Sequence, residues 1–117
     1  MPTTIQLKRA YEEPSRKDGL RILVERLWPR GLSKEKAQLS SWCKQIAPSP
    51  ELRKWFGHDF QRWAGFQTRY KRELRDNTEA VAELRRMIRG RVVTFIYAAR
   101  DEQHNGALVL KQFLEAK

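Results

Sequence analysis

The chain is poor in the residues from which covalent and metal-based sites are made. Cys43 is its only cysteine, and His58 and His104 are its only histidines. A single cysteine excludes an internal disulfide and fits a reducing compartment, so a cytoplasmic address is expected. Two histidines 46 positions apart and one cysteine match no metal-ligand spacing. Glycine is scarce too, and the six present form no Gly-x-Gly-x-x-Gly, no P-loop and no Gly-x-Ser-x-Gly elbow. No metal and no other cofactor is therefore expected. Long apolar runs are missing as well. The clearest, residues 22–24 and 92–99, fall well short of the roughly 18 residues of a membrane helix. The opening Met-Pro-Thr-Thr-Ile-Gln lacks the charged-then-apolar order of a signal peptide. No membrane partner is expected.

Acidic residues are the scarcer charge. Fourteen Asp and Glu face 24 Lys and Arg, leaving a net +10. Residues 92–117 hold three basic and three acidic side chains, so the whole surplus lies in residues 1–91. Such a field concentrates anions: nucleic acid, nucleotides or phosphorylated metabolites. The bland alternative is that the charge keeps a small protein soluble. At 117 residues, 40% hydrophobic and 32% charged, the chain fits one soluble domain with one core.

Residues 3–9 alternate, with Ile5 and Leu7 opposite Gln6 and Lys8, and read as a strand. A turn-rich stretch ending in Asp18-Gly19 leads into a second strand at 20–25. Ten residues are few for a parallel crossover, so antiparallel or non-adjacent pairing of these strands stays open. Ser33 is a cap for a helix over 34–39, and alternation of Trp42, Lys44 and Ile46 suggests a third extended segment. Ser49-Pro50-Glu51 starts a short helix that stops at Gly57. Asp59 caps the longest helix, whose stripe is Phe60, Trp63, Phe66, Tyr70 and Leu74. Asn77 and Thr78 restart a helix ending near Gly90. Residues 92–99 form the clearest strand, apolar on both faces, and 108–114 make a final amphipathic helix. The pattern predicts a single small α/β domain over 1–117, with three to four largely parallel strands and flanking helices.

Two buried strands run into polar segments, where α/β sheets bind ligands. The first exit carries Glu25, Arg26, Trp28, Arg30 and Lys34; the second carries Arg100, Asp101, Glu102, His104 and Asn105. Guanidinium forks near helix N-termini suit phosphate, and Trp28 offers a face for a base. Each has a duller reading. Trp28 serves equally as a plug on the sheet edge. Arg26 and Arg100 serve as partners of Glu25, Asp101 or Glu102. Asp101 serves as the cap of the final helix, with Asn105 holding the same turn. His104 is the first choice for an acid–base role, being the one group of its loop tuned to neutral pH. His58, between Gly57 and Asp59, has turn duties, and Cys43 reads as an unreactive thiol.

Ile5–Tyr11, Arg21–Lys34, Ile46–Asp59 and Phe95–Leu110 together resemble the YeaO-like branch of DUF488, a bacterial domain-of-unknown-function family. The similarity runs over nearly the whole chain, and Leu27-Trp28-Pro29-Arg30-Gly31 matches the family's hallmark. The resemblance implies a compact cytoplasmic α/β domain of Rossmann-like kind and no settled activity. Arg26 to Gly31 match the hallmark segment; Tyr97, Asn105 and Ala107 match the second. Similar sequences often carry histidine after Asn105, where this chain has Gly106, which weakens any scheme needing a side chain there.

Two functions follow as expectations. The first is a binding module for nucleic acid or nucleotide, with Arg26, Arg30, Arg100 and Asn105 at the ligand and Trp28 stacking. The second is a small enzyme on an anionic substrate, with Asp101 and His104 moving the proton. The spread of charge beyond the cleft favours the first. A third reading leaves the basic surface to a protein partner.

Overall fold

A computed structural model describes residues 2–116. Four strands, β1 (Thr4–Arg9), β2 (Leu20–Leu23), β3 (Ser41–Trp42) and β4 (Val92–Tyr97), form one sheet in the order β1-β4-β2-β3. Every pairing is parallel. The helices are α1 (Lys34–Ala37), α2 (Pro50–Phe56), α3 (Trp63–Asp76), α4 (Thr78–Ile88) and α5 (Gly106–Glu115). The last strand lies between the first two. β1 and β2 are thus non-adjacent, which resolves the short link between them: the chain passes from one to the other through a 3-10 turn at Arg16–Asp18 and leaves a gap that β4 fills.

Strand alternation sends residues to two faces. Ile5, Ile22, Val24, Val93, Phe95 and Tyr97 pack with α2 to α5 into the main core. Leu23 and Ile96, with Ala10, form a smaller cluster on the other face, covered by Trp28, Leu32, Leu39 and Trp42. The third segment is shorter than its alternation predicts. Only Ser41–Trp42 pairs; Lys44–Ile46 is a 3-10 turn. That turn carries Ile46 into the main core, and the Ile46 carbonyl accepts the buried Tyr70 hydroxyl at 2.7 Å. Ser33, Ser49 and Asn105 cap α1, α2 and α5, accepting from Lys36, Leu52 and Leu108 N–H. The final helix is therefore capped by Asn105 and not by Asp101, which closes the turn before it by accepting from Gln103 and His104 N–H.

One buried polar cluster holds the sheet. Asp18, 3% exposed, accepts from Lys8 Nζ at 2.8 Å and Arg21 Nη1 at 2.7 Å, while its carbonyl accepts from Thr94 Oγ1 at 2.7 Å. Arg21 spends its Nε and Nη2 on the Ala37 carbonyl at the end of α1. β1 and β2 thus meet on the Asp18 carboxylate, β4 joins at its backbone carbonyl, and Arg21 links α1 to them. Burial alone works to raise the Asp18 carboxyl; bonds from Lys8, the Ser15 N–H and Arg21 outweigh it and hold it below the ordinary value of 3.8. The unfolded chain then binds the proton more readily, so the stabilisation is present above the ordinary value and is lost as pH falls through the depressed one. Asp18→Asn strands the Arg21 guanidinium and is expected to cost about 3–5 kcal/mol in urea unfolding at pH 7. Stability of the variant should fall less on acidification below the ordinary carboxylate value. A loss under about 1 kcal/mol with an unchanged acid limb contradicts this role.

Candidate anion site at the strand exits

Beyond the carboxyl ends of β2 and β4 lies a cavity of about 380 Å³. Val24, Glu25 and Arg26 enter it from β2, and Ala99 and His104 to Ala107 from the β4 exit and first turn of α5. Ala47, Pro48 and Pro50 form the wall before α2, and Arg53, Lys54, Phe56 and His58 the wall at its end. The two exits are joined directly: Glu25 Oε1 accepts the Ala98 N–H at 2.9 Å, and the Glu25 carbonyl accepts Trp42 Nε1–H at 2.6 Å. Burial pushes the Glu25 carboxyl up, opposed by the Ala98 N–H, Arg53 and His58.

Among the described residues Arg26 carries the one buried side-chain nitrogen or oxygen left without a hydrogen-bond partner. Its Nη2 reaches the Ala47 carbonyl only at 3.4 Å, and its buried Nε has no partner among the described residues. It forms no ion pair among them either, so pairing with Glu25 does not occur. A buried donor left unmade costs about 1–3 kcal/mol.

Of the residues singled out by sequence, Arg26, His104 and Asn105 share this cavity. Asp101 stands behind, its Oδ2 at 2.8 Å from His104 Nδ1. The backbone N–H of Gln103, then His104, holds the Asp101 carboxyl below its ordinary value. Asn105 is buried, and its amide is spent on Leu108 N–H and the Asp101 carbonyl, so it shapes the site through its backbone. Trp28, Arg30 and Arg100 lie outside the lining. Trp28 covers the opposite face of the sheet, edge-on to Trp42 at 5.4 Å, with Nε1 donating to the Leu32 carbonyl at 2.6 Å. Arg30 and Arg100 are exposed. Cys43 is remote from the cavity, and burial pushes its thiol up.

Sequence reasoning does not single out Arg53 and Lys54, and His58 reads there as a turn residue. The two cations look like an ordinary solvated helix face, and only the packing of α2 beside the strand exits turns them to the cavity. His58 gave one signal, a bulky residue after Gly57 at a helix end. Gly57 and His58 both adopt left-handed backbone, at φ 51° and 58°. Glycine does this freely, whereas histidine carries a cost of order 1 kcal/mol.

A parallel α/β sheet with a cationic, half-apolar cavity at its strand exits is the class of domain this structure defines. Residues 4–117 match the family described as "Inactive DUF488-N3 subclade". An uncharacterised protein of Mycobacterium tuberculosis is 41% identical over 115 residues, 98% of this chain and 97% of the relative. The uncharacterised YeaO of Escherichia coli is 39% identical over 112 residues, 96% of this chain and 97% of that one. No solved structure matches significantly. The chain belongs to the DUF488 family, in its YeaO-like branch.

His58→Gly is expected to stabilise the fold by about 0.5–1 kcal/mol, measured by urea unfolding, because the left-handed strain is relieved. A loss of stability would contradict this and mean that the imidazole contact with Phe56 outweighs the backbone cost.

Proposed function

We propose that the cavity binds the phosphate of a nucleotide or of a nucleic-acid chain and holds it without transforming it. The observation that carries this reading is the Arg26 guanidinium, which belongs to a residue lining the cavity and whose buried Nε has no partner among the described residues. A phosphate oxygen is the acceptor that such a fork fits. Arg53 and Lys54 share the wall, so three cationic side chains stand against the single Glu25 carboxylate. The first turn of α5 adds backbone N–H groups at Gly106 and Ala107. The volume falls in the range of small-ligand sites. The basic surplus of residues 1–91 and the word "Inactive" in the family description both favour binding over turnover.

Arg26→Met keeps the aliphatic stem and removes the fork. By calorimetry with inorganic phosphate it should lose about 1.5–3 kcal/mol of binding, while stability is kept or raised as an unsatisfied donor disappears. A 5′-phosphorylated oligonucleotide should bind the parent with an affinity that falls steeply with salt, and Arg26→Met should flatten that slope by about one unit. Salt-independent binding, or a variant that binds like the parent, contradicts the reading.

The Asp101–His104 couple favours a second reading, a small enzyme on an anionic substrate. A carboxylate 2.8 Å from Nδ1 fixes the imidazole whose ring lies on the cavity wall, the arrangement that readies a general acid or base. Asp101→Asn should then leave phosphate affinity within about twofold and abolish phosphoester turnover. Equal behaviour of parent and variant in a phosphoester assay contradicts that scheme.

A further inference from the structure

We infer that Phe60 is the platform on which a base of the bound ligand stacks, so that the cavity takes a nucleoside phosphate in preference to a bare sugar phosphate. This rests on the phosphate reading above and narrows it. Phe60 is 68% exposed, more than Leu27 at 62%, Tyr11 at 47% or Val92 at 42%. Its spacing from Trp63, Phe66, Tyr70 and Leu74 predicts burial on one helical stripe. The structure departs from this because Phe60–Arg62 is a 3-10 turn ahead of α3, and the tighter winding takes Phe60 off the stripe.

The ring emerges beside the cavity. It meets the His104 imidazole edge-on at 4.7 Å and 80°, and His104 lines the cavity. Trp63 meets the same imidazole at 5.0 Å and 88°, making an aromatic rim of three rings. The imidazole and the turn beneath the Phe60 ring are tied down. Asp101 holds His104 from behind, and Asp59 caps the turn by accepting from Gln61 N–H at 2.9 Å. A ring resting edge-on against a tied imidazole, with a free face, suits stacking, because less ordering remains to be done on binding. Its chain neighbours Asp59, Gln61 and Arg62 are all polar and exposed, so along the chain no apolar residue adjoins the ring. That isolation favours one flat ligand group over a protein partner. Trp28, the ring that sequence suggested for stacking, is committed to the opposite face of the sheet.

Calorimetric titration of the full chain with AMP and with ribose 5-phosphate tests this directly. The parent should bind AMP about fivefold to a hundredfold more tightly, the range one stacked base provides. Phe60→Ala should bring the ratio of the two affinities to near one, and Phe60→Trp should keep it. The adenine H2 and H8 resonances should move upfield in the parent complex and not in Phe60→Ala. Arg26-dependent binding of both ligands with equal affinity in the parent overturns the stacking role and leaves the phosphate reading standing. Failure of both ligands to bind overturns the two together. A ratio unchanged by Phe60→Ala overturns it, including where sedimentation shows the substitution dissolving a dimer.

Discussion

The fold depends on how the Asp18 carboxylate is satisfied. It sits where the chain turns from β1 towards β2, takes a cation from each of those strands, and through its carbonyl fixes Thr94 in β4. Arg21 and Thr94 are register partners, so the same contacts set which residues of β2 and β4 lie side by side. A one-residue slip would reverse the faces of both strands, exchanging Ile22 and Phe95 with buried polar groups. Register at the start of these strands determines what meets at their ends. Glu25 reaches the Ala98 N–H, and Arg26 arrives beside Ala47, only because β2 and β4 run parallel and in step.

The two polar centres contrast. At Asp18 both carboxylate oxygens that burial strips of water find donors, in Lys8, Arg21 and the Ser15 N–H, which makes the interior charge tolerable. At Arg26 a donor is left without an acceptor, and nearby His58 keeps a backbone conformation that glycine would adopt more easily. The unpartnered donor and one of the two non-glycine residues at positive φ lie at this cavity; the other, Gln38, ends α1. An unmade bond of this kind marks a place where structure is shaped by something other than stability.

Much of this was legible in the sequence. Capping residues at Ser33 and Ser49, the Gly57 stop and the apolar run of β4 have local causes, and the structure has them where the residues put them. The gathering of Arg26, His104 and Asn105 followed from two strand exits in a parallel sheet. Other features are set by tertiary contacts that no local pattern carries. The order β1-β4-β2-β3 depends on the last strand inserting between two earlier ones. Alternation at 42–46 is truncated because Ile46 turns into the core under Tyr70. Trp28 covers the sheet, in keeping with its reading as a plug, while Phe60 leaves its expected stripe because a 3-10 turn, not helical spacing, sets its direction.

The central claim is that the strand-exit cavity is an anion site organised by Arg26. Titration of the ¹⁵N-labelled protein with inorganic phosphate, followed by amide and guanidinium resonances, tests it most directly. The account predicts saturable shifts concentrated on Gly106, Ala107 and Arg26 Nε–H, with the Arg62, Arg69 and Arg72 side chains of the outer surface nearly still. Shifts confined to that outer surface, or none at the cavity, would contradict it.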